Sequence, residues 1–483
     1  MSKRKRGSRG RLVARLRDGK YCTSDAMPTS ARSPLDRTRI SILSGPEQDS
    51  VTLSSNWSSS YSAEFFVKLL PDFEQLVYPL NPILTSTEIR DSIANMHGSL
   101  EDTALVHAFG ATTISLTKPS WILDGQDLAS LMVSLVQFSI RAHRQVETDK
   151  NSHGSSLLSK LPVSVKRIMT CIWIQIPMIS IRRFDRSFAA LREAISMIEM
   201  LDIHQYGDSD TQLDSREVAR RQRMYWEAFI HERSLFIISG YPCIMQPLRT
   251  GLPFADQTVP SFITVGFDRL ILLFETMDES FVEYWSAQFR QRKACSITAQ
   301  WVDSKQTELD QHEVDTTEAE RKLEAGGHGS LNELQHTDLF ITRLWLRTLI
   351  WQLGLSNGLL HSTPPNDVHE GLSLNFPANY VSAQLRVLVC RLHNLSSIIF
   401  HGSGILQKLF EITSTAADVL SLPCSDKQQT EASEYLEDLL FLVRLLFTFD
   451  RTQRHQRDYL QEKLDALQRV FPMVDFGDLM RRN

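Results

Sequence analysis

The stretch RRQRMYWEAFIHERSLFIISGYP, residues 220–242, predicts one long helix, and this helix decides the fold class. Its aromatic side chains, led by Tyr225, Trp226 and Phe229, recur at the spacing of a single helical face. The pattern ends at Gly-Tyr-Pro, residues 240–242, where glycine suits a left-handed cap and proline cannot continue a helix. We therefore expect a helix that buries one broad apolar face.

Two polar residues, Gln222 and Arg233, fall on that apolar face. An unpaired buried charge is costly, so we expect Arg233 to pair with a carboxylate from a neighbouring helix, with Glu193 as one candidate. Such an ion pair would organise the fold and would have no catalytic role. The arginines at the start of the helix lie beside the apolar face, and we expect a solvated surface for them: Arg220, Arg221 and Arg223.

Helical periodicity recurs along most of the chain, whereas sustained alternation, repeats and long heptad arrays are not found. The sequence therefore predicts an all-α protein with a disordered basic N-terminal arm. Residues 157–179 predict a buried central helix that is bent or broken at Pro177. The other predicted helices span residues 63–77, 101–116, 128–140, 184–203, 216–239, 275–292, 336–353, 383–400, 406–420, 431–450 and 452–471.

Changes in composition divide the chain into five predicted parts. The first is a basic arm, and the second is a linker rich in Ser and Thr. The third is the main part of a regulatory body, and the fifth contains the C-terminal helices of that body. Between these two we expect a charged, exposed loop, with a surface helix as the alternative. The predicted parts are residues 1–22, 23–62, 63–300, 301–335 and 336–483.

The charge distribution is uneven. The chain of 483 residues is 42% apolar and has a net charge of −5, which fits a folded protein and excludes a polycation. The first twenty residues nevertheless carry nine Lys and Arg and a single acid. We interpret them as a nuclear-import signal or a phosphate-contacting tail. A solvated tail without a partner is the alternative. The residues that would contact phosphate are Lys3, Arg4, Lys5, Arg6, Arg9 and Arg11.

Cysteine spacing indicates neither a metal site nor a disulfide framework. The six cysteines are scattered singly and no CxxC occurs, so we expect no thiolate zinc site and a reducing compartment. The basic N-terminus has no apolar core, so a secretory signal is not predicted. The longest apolar run, residues 168–181, is too short to span a bilayer. We therefore expect no membrane association.

Motifs of common enzyme families are absent from the sequence. The phosphate-binding, dinucleotide-binding, zinc-protease and nucleophile-elbow motifs do not occur, and neither does the Asp-rich magnesium motif of all-α cyclases. The segment HGSG, residues 401–404, predicts a turn between helices. His204, His231 and His401 are single histidines that we expect to be surface or hydrogen-bonded core residues. We therefore predict no catalytic residues, no cofactor and no enzymatic activity.

Residues 184–260 resemble the fungal-specific transcription factor domain, the middle homology region of regulators with a binuclear zinc cluster. Residues 187–205 are similar to the family helix that contains "REAI" and "LGLH". Residues 216–245 resemble "E..RR..WW.LF..DR..S...GRP..I", and residues 252–260 partly resemble the short "D.D...P" tail. The resemblance covers residues 65–300 and implies an all-α regulatory domain.

The chain departs from the family pattern at a few positions. Asp202 stands where glycine is common, Glu232 replaces the usual Asp, and Tyr241 replaces the common Arg before Pro242. The family signature residues of this chain are Arg220, Arg221, Tyr225, Trp226, Phe229, Glu232, Arg233, Gly240 and Pro242.

The basic arm adds a second resemblance. Residues 3–17 are similar to the linker that follows the zinc cluster in maltose- and amylase-regulator proteins. In such proteins a six-cysteine cluster just upstream holds two zinc ions and recognises base triplets in the major groove. The chain begins where that cluster would end, so the cluster is either lost or encoded outside this sequence. The resemblance implies zinc only if an upstream cluster exists.

Together these resemblances imply a nuclear transcription regulator of a metabolic or secondary-metabolite gene set. Its expected partners are DNA, directly or indirectly, a homodimeric or related heterodimeric partner, and an unknown small-molecule effector. The first alternative is a co-regulator that does not recognise DNA and pairs with a full-length zinc cluster factor. The second is an all-α enzyme, and the third is a helical scaffold.

Overall fold

Helices make up the regular secondary structure of the computed structural model, which describes residues 61–122, 127–146, 161–205, 213–290, 297–393, 395–422, 426–450, 452–471 and 476. Within these ranges no β-strand forms, and one isolated bridge joins His361 and Ser373. The all-α prediction is confirmed. The predicted basic arm and most of the linker lie outside the described residues.

The long helices lie along the chain in the following order. The first six are α1 (Ser86–Asn95), α2 (Leu100–Thr117), α3 (Leu128–Val146), α4 (Val165–Ser180), α5 (Phe184–Met200) and α6 (Ser215–Ser239). The next four are α7 (Ser261–Glu275), α8 (Glu279–Arg290), α9 (Ala299–Ala325) and α10 (Glu333–Ser356). The last four are α11 (Ser382–Arg391), α12 (Gly402–Leu420), α13 (Asp426–Thr448) and α14 (Arg454–Val470).

Shorter helical pieces lie between the long ones. Four are α-helical or 3₁₀ turns near the N-terminal half: Ala63–Val67, Leu70–Asp72, Ser120–Ile122 and Ile203–Gln205. Two are π-helical turns, Phe73–Val77 and Pro377–Val381. The remaining ones are Glu370–Leu372 and Ser396–Ile399.

Capping residues set several helix boundaries. Thr85 forms a capping box with Glu88 at the start of α1, and Asn332 forms one with Gln335 at the start of α10. Each box satisfies backbone N–H groups that have no partner within the helix. At the end of α6, Gly240 has a φ of 70° and donates its N–H to Phe236. The glycine predicted to cap this helix therefore does so.

The helices pack as two neighbouring groups within one compact unit, Ala63–Asn483. In the first group α2 packs on α3 and α4, and α4 packs on α5. In the second group α10 packs on α9 and α12, and α12 packs on α13 and α14. Helix α6 contacts α4, α5 and α7, while α7 contacts α9 and α10. Helices α6 and α7 thus join the two groups.

The helix predicted to be bent or broken at Pro177 is not broken there. Pro177 lies in the last turn, and the helix continues to Ser180. Proline cannot donate an N–H to the carbonyl four residues earlier, which belongs to Trp173. Thr112 of α2 donates its hydroxyl to that carbonyl at 2.7 Å. A neighbouring helix therefore satisfies the acceptor that proline leaves free.

The prediction of a charged loop at residues 301–335 is wrong, and the alternative, a helix, is correct for most of the stretch. Its larger part is helix α9, and Val302 and Leu309 are buried along it. Not all of its acidic side chains point only into solvent, because Asp310 forms an ion pair with the buried Arg347 of α10. The sequence indicated solvation because the arginine that neutralises these acids is distant in the chain.

Two long helices were not predicted at all, α1 (Ser86–Asn95) and α7 (Ser261–Glu275). Residues 261–275 form α7, whereas the predicted helix at residues 275–292 corresponds to α8, which begins at Glu279. Gly266 interrupts the apolar pattern of α7. It is required there, because a Cβ at this position would lie 2.2 Å from Nε2 of Gln335. The glycine allows α10 to approach α7 closely.

A helix that crosses a bilayer must be both long enough and apolar enough. Helix α4 is among the most apolar, yet it has only 16 residues and contains the buried Gln175. None of the helices in the described ranges meets the requirement for a membrane span.

Candidate functional site

A cavity of about 180 Å³ lies where the two helical groups meet. Helices α2, α4, α6, α7, α10 and α12 and residues 77–81 contribute to its lining. Most of the wall is apolar, and its aliphatic part includes Leu80, Ile176, Ile230, Ile238, Leu270 and Ile405. An apolar cavity with a few polar groups is the usual form of a small-molecule site. We take this cavity as the candidate functional site.

Four polar lining residues form a hydrogen-bonded chain, here called the Glu227 network: Asn81, Gln175, Glu227 and His231. Asn81 Nδ2 donates to Glu227 Oε1 at 2.6 Å, and His231 Nε2 lies 2.9 Å from the same oxygen. Gln175 Nε2 lies 2.7 Å from His231 Nδ1. Ser187 donates to Gln175 Oε1 at 3.1 Å. The network thus links residues from α4, α5, α6 and the segment before α1.

The hydrogen-bonding capacity of this network is incompletely used. Both bonds to Glu227 reach Oε1, and no described residue donates to Oε2. Among the described residues the only ion-pair partner of Glu227 is His231. The Oδ1 atom of Asn81 also lacks a hydrogen-bond partner within the described part of the chain. Glu227 and Asn81 are 6% and 5% exposed. Buried polar groups are nearly always satisfied, so the unused acceptors point to an additional donor at this site.

A second polar group of the lining is the Asp338–Lys408 pair. Lys408 Nζ lies 3.4 Å from Asp338 Oδ1 and donates to Thr342 Oγ1 at 2.7 Å. The same ammonium lies 5.5 Å from the ring centroids of both Phe274 and Trp345. This geometry allows cation–π attraction from two rings. The lysine is therefore already neutralised and held in place.

Burial and charge act in opposite directions on Asp338 and His401. Burial alone would raise the pKa of Asp338, but Lys408, His401 and hydrogen bonds lower it below its usual value. Burial lowers the pKa of His401, which outweighs the attraction of Asp338. His401 is consequently neutral at pH 7, and its Nε2 donates to the carbonyl of Leu334 at 3.1 Å. The lining thus contains a carboxylate neutralised by Lys408 and a separate carboxylate, Glu227.

Arg220 and Arg221, which were predicted to be solvated, form ion pairs instead. Arg220 pairs with Glu88 at 2.7 Å and also with Glu217, and Arg221 pairs with Glu217 at 2.7 Å. Both are half-buried. For Arg223 the prediction of a solvated surface is wrong, because this residue is buried.

The partners of Arg223 explain its burial. Its guanidinium pairs with Asp256 at 2.9 Å and donates to the carbonyl of Pro82 at 2.8 Å. These partners lie far along the chain, so local charge could not reveal them. Arg223 therefore fastens the loop after α6 to the segment before α1.

The aromatic residues of the signature also bind the loop after α6. Tyr225 donates its hydroxyl to the carbonyl of Gln246 at 2.7 Å, and Trp226 donates to the carbonyl of Gly251 at 3.0 Å. Phe229 packs under the guanidinium of Arg233, 4.3 Å from the ring centroid. All three rings are buried, as predicted. This part of the signature therefore positions residues 240–251 against α6.

Arg233 is buried, but the proposed partner Glu193 is wrong. Arg233 Nε donates to the carbonyl of Met277 at 3.2 Å, and Nη2 donates to that of Met245 at 2.9 Å. Its nearest acid is the preceding residue, Glu232, at 3.4 Å. Backbone carbonyls satisfy the guanidinium, so an acid from another helix is not required.

Glu193 belongs to a different cluster on α3, α4 and α5. His143 Nε2 lies 2.7 Å from Glu193 and 3.6 Å from the thiol of Cys171. This hydrogen bond is the main reason that the pKa of Glu193 is lowered. The three ligand atoms are close enough to surround a cation. However, the Arg167 guanidinium lies 3.4 Å from the same nitrogen, so a metal ion there would meet a positive charge.

The remaining predicted residues are placed as follows. Pro242 follows the cap at Gly240, and its carbonyl accepts from Arg192. HGSG lies at the junction of two helices, as predicted. His204, His231 and His401 are half-buried and hydrogen-bonded, as predicted. The basic-arm residues proposed to contact phosphate lie outside the described part of the chain.

Sequence patterns did not reveal the cavity. They singled out His231 and His401 but not their neighbours Glu227, Asp338 and Lys408. One signal was present: Glu227 and His231 stand four residues apart inside the apolar stretch YWEAFIHER. The rest of the lining comes from segments that no local pattern connects.

Comparison with known proteins adds no relative. No family model, no curated protein and no solved structure matches the chain. The function must therefore be argued from the residues of this chain and from the geometry of its cavity.

Proposed function

We propose that this chain is a fungal transcription regulator whose helical body binds a small-molecule effector in the cavity between its two helical groups. The body would control a metabolic or secondary-metabolite gene set from the nucleus. The proposal includes no catalytic reaction and no cofactor within this chain. Zinc would belong only to a cluster encoded upstream.

The observation that carries the proposal is the cavity with its unused buried acceptors. Glu227 and Asn81 are more than nine-tenths buried, and each retains an oxygen to which no described residue donates. A cavity of about 180 Å³ would accept a small ligand, since an apolar cavity of ~150 Å³ binds benzene. A polar ligand group could supply the missing donor.

The resemblance to the fungal-specific domain supports the regulatory role. Helix α6 carries most of the signature residues, and it also contributes Glu227, Ile230, His231 and Ser234 to the cavity. The same helix holds residues 240–251 through Tyr225 and Trp226. A change in the position of α6 would thus reach both the ligand and the surface loop.

The expected mechanism is a population shift. The cavity lining comes from both helical groups, so a ligand that contacts both favours one packing of the groups over others. The ligand can bias the equilibrium only by its difference in affinity for the two packings. In this proposal that bias alters the contacts available to a DNA-bound or dimeric partner.

The DNA contact of this chain is proposed to be electrostatic. Lys3, Arg4, Lys5, Arg6, Arg9 and Arg11 would bind phosphates, and such binding weakens with added salt. Base recognition would come from an upstream zinc cluster or from a partner protein. A co-regulator that pairs with a full-length zinc cluster factor remains the second candidate.

A reporter experiment tests the proposal. The full chain is fused to a heterologous DNA-binding module, and reporter transcription is measured with and without extracts of the native growth medium. We expect a change in transcription that depends on the medium, and a tagged full chain located in the nucleus. A reporter that never responds, together with a tagged chain excluded from the nucleus, would overturn the proposal.

A further inference from the structure

Glu227 is a buried carboxylate whose described partners are neutral. Its side chain is 7% exposed, and its contacts among the described residues are the amide of Asn81 and the ring of His231. The nearest equivalent in the cavity, Asp338, is neutralised by Lys408. An isolated buried carboxylate is costly unless a cation or several donors compensate it. A positive charge added in the cavity would therefore compensate the Glu227 carboxylate.

His231 does not supply that charge in the observed arrangement. Ser187 donates to Gln175 Oε1, so the Gln175 amide presents Nε2 to Nδ1 of His231. An Nδ1 atom that accepts a hydrogen bond carries no proton. The ring is then neutral, with its proton on Nε2 facing Glu227 Oε1. The second oxygen of Glu227 stays available.

The rest of the cavity lining is apolar and favours a ligand with an apolar body. Ile176, Ile179, Ile230 and Ile238 come from α4 and α6, and Phe274 from α7 adds an aromatic wall. A volume of about 180 Å³ sets the size, since ~150 Å³ accommodates benzene, with six carbon atoms. The available space therefore fits a ring or short chain of about seven non-hydrogen atoms, including one polar group.

We infer that the cavity binds a small primary amine with an apolar or aromatic body, whose ammonium group donates to the free oxygen of Glu227. This inference names the ligand class and rests on the proposed effector role. One of the three ammonium donors serves this oxygen, to which no described residue donates. Charge-assisted hydrogen bonds are about twice as strong as neutral ones, so the amine group dominates the selectivity.

The test compares three probes of similar shape on the wild-type full chain by isothermal titration calorimetry at pH 7. The probes are cyclohexylammonium chloride, cyclohexanol and sodium cyclopentanecarboxylate. We expect the ammonium probe to bind at least about tenfold more tightly than the alcohol, and the carboxylate not to bind. Equal binding of amine and alcohol, tighter binding of the carboxylate, or no binding of the amine at about 5 mM would overturn the inference.

A variant pair locates the ammonium. Glu227→Gln keeps the shape of the side chain and removes its charge, and we expect at least about a tenfold loss of amine affinity with little change for the alcohol. Glu324→Gln on the exposed end of α9 is the matched control and should bind like wild type. Unchanged amine affinity in a folded Glu227→Gln chain would refute the assignment. If that variant does not fold, the comparison of probes on wild type still decides the question.

The outcomes separate the two proposals. If the amine binds with the expected selectivity but never alters reporter transcription, the ligand class stands and the regulatory role fails. If the reporter responds to growth medium while no amine binds, the regulatory role stands and the ligand class fails.

Discussion

Glu232 accepts the backbone N–H of Met245 at 2.9 Å, thirteen residues farther along the chain. The next residue, Arg233, donates to the carbonyl of the same Met245 at 2.9 Å. Two consecutive side chains of α6 therefore hold both backbone groups of one loop residue. Glu232 also accepts from the N–H of Ile244 and pairs with Arg192 of α5 at 2.8 Å. The acid and arginine of the signature thus act as a structural clamp on the loop.

We expect the clamp to be costly to disrupt. Replacing Glu232 by Gln should lower the free energy of unfolding by about 3–5 kcal/mol, because it leaves the Arg192 and Arg233 charges poorly compensated. Arg233→Met should cost about 1–3 kcal/mol through the carbonyls that lose a donor. Urea unfolding measures both. Arg321→Met, which removes an exposed ion pair with Glu318, is the control and should change stability by less than ~0.5 kcal/mol. An Arg233→Met chain as stable as wild type would contradict this role.

The same substitution should have opposite effects at two glycines that lie within helices. A Cβ at Gly266 would collide with the Gln335 side chain, which donates to the carbonyl of Phe262 at 3.1 Å. Gly266→Ala should therefore destabilise the protein by about 1–3 kcal/mol. A Cβ at Gly404 meets no atom within 4 Å, so Gly404→Ala should stabilise α12 by about 0.5–1 kcal/mol. Thermal unfolding of both variants tests the contrast, and two shifts of the same sign would contradict it.

The bond between Thr112 and the Trp173 carbonyl should depend on Pro177. Thr112→Val removes the hydroxyl that serves a carbonyl left free by proline, and should cost about 1–3 kcal/mol. In the Pro177→Ala background the alanine N–H can serve that carbonyl, so the same change should cost less. A double-mutant cycle by urea unfolding measures the coupling. Equal costs of Thr112→Val in both backgrounds would show that the two residues act independently.

Stability should fall between mildly acidic and mildly alkaline pH because of Asp268. Burial raises the pKa of Asp268 to about 7, against the opposing effects of Arg269 and Arg223. A carboxyl whose pKa is raised by folding binds its proton more tightly in the folded state. Its stabilising effect is therefore complete below the ordinary Asp pKa and is lost as pH rises towards 7.

Replacing Asp268 by Asn removes this titration. We expect the variant to gain stability relative to wild type at pH 8 and to show a smaller gain at pH 5, by urea unfolding at both pH values. Asp315→Asn on the exposed face of α9 is the control and should show no such difference. A gain of equal size at both pH values would contradict the raised pKa.

Local sequence patterns were informative where one helix determines its own structure. The periodic apolar residues of 220–242 and the glycine cap at Gly240 predicted α6 and its end. Burial of Tyr225, Trp226 and Phe229 followed from their shared face. These features depend on residues a few positions apart, and helix geometry fixes their relation.

The errors arose where a residue distant in the chain decides the outcome. The acids of α9 indicated a solvated loop or surface helix, but Arg347 neutralises Asp310 from another helix. Arg223 was expected in solvent, but Asp256 and Pro82 enclose it. A buried charge is tolerated only when its partners converge in space, and sequence spacing carries no information about that convergence.

Helical periodicity and capping are local, and they were enough to specify the all-α class, the course and cap of α6 and the burial of its aromatic face. Which carboxylates are neutralised was settled by packing alone. Packing gave Asp338 the ammonium of Lys408 and left Glu227 with neutral partners in an apolar cavity. Charge compensation depends on distances of a few ångströms between segments far apart in the chain, and only the folded arrangement of the helices sets those distances.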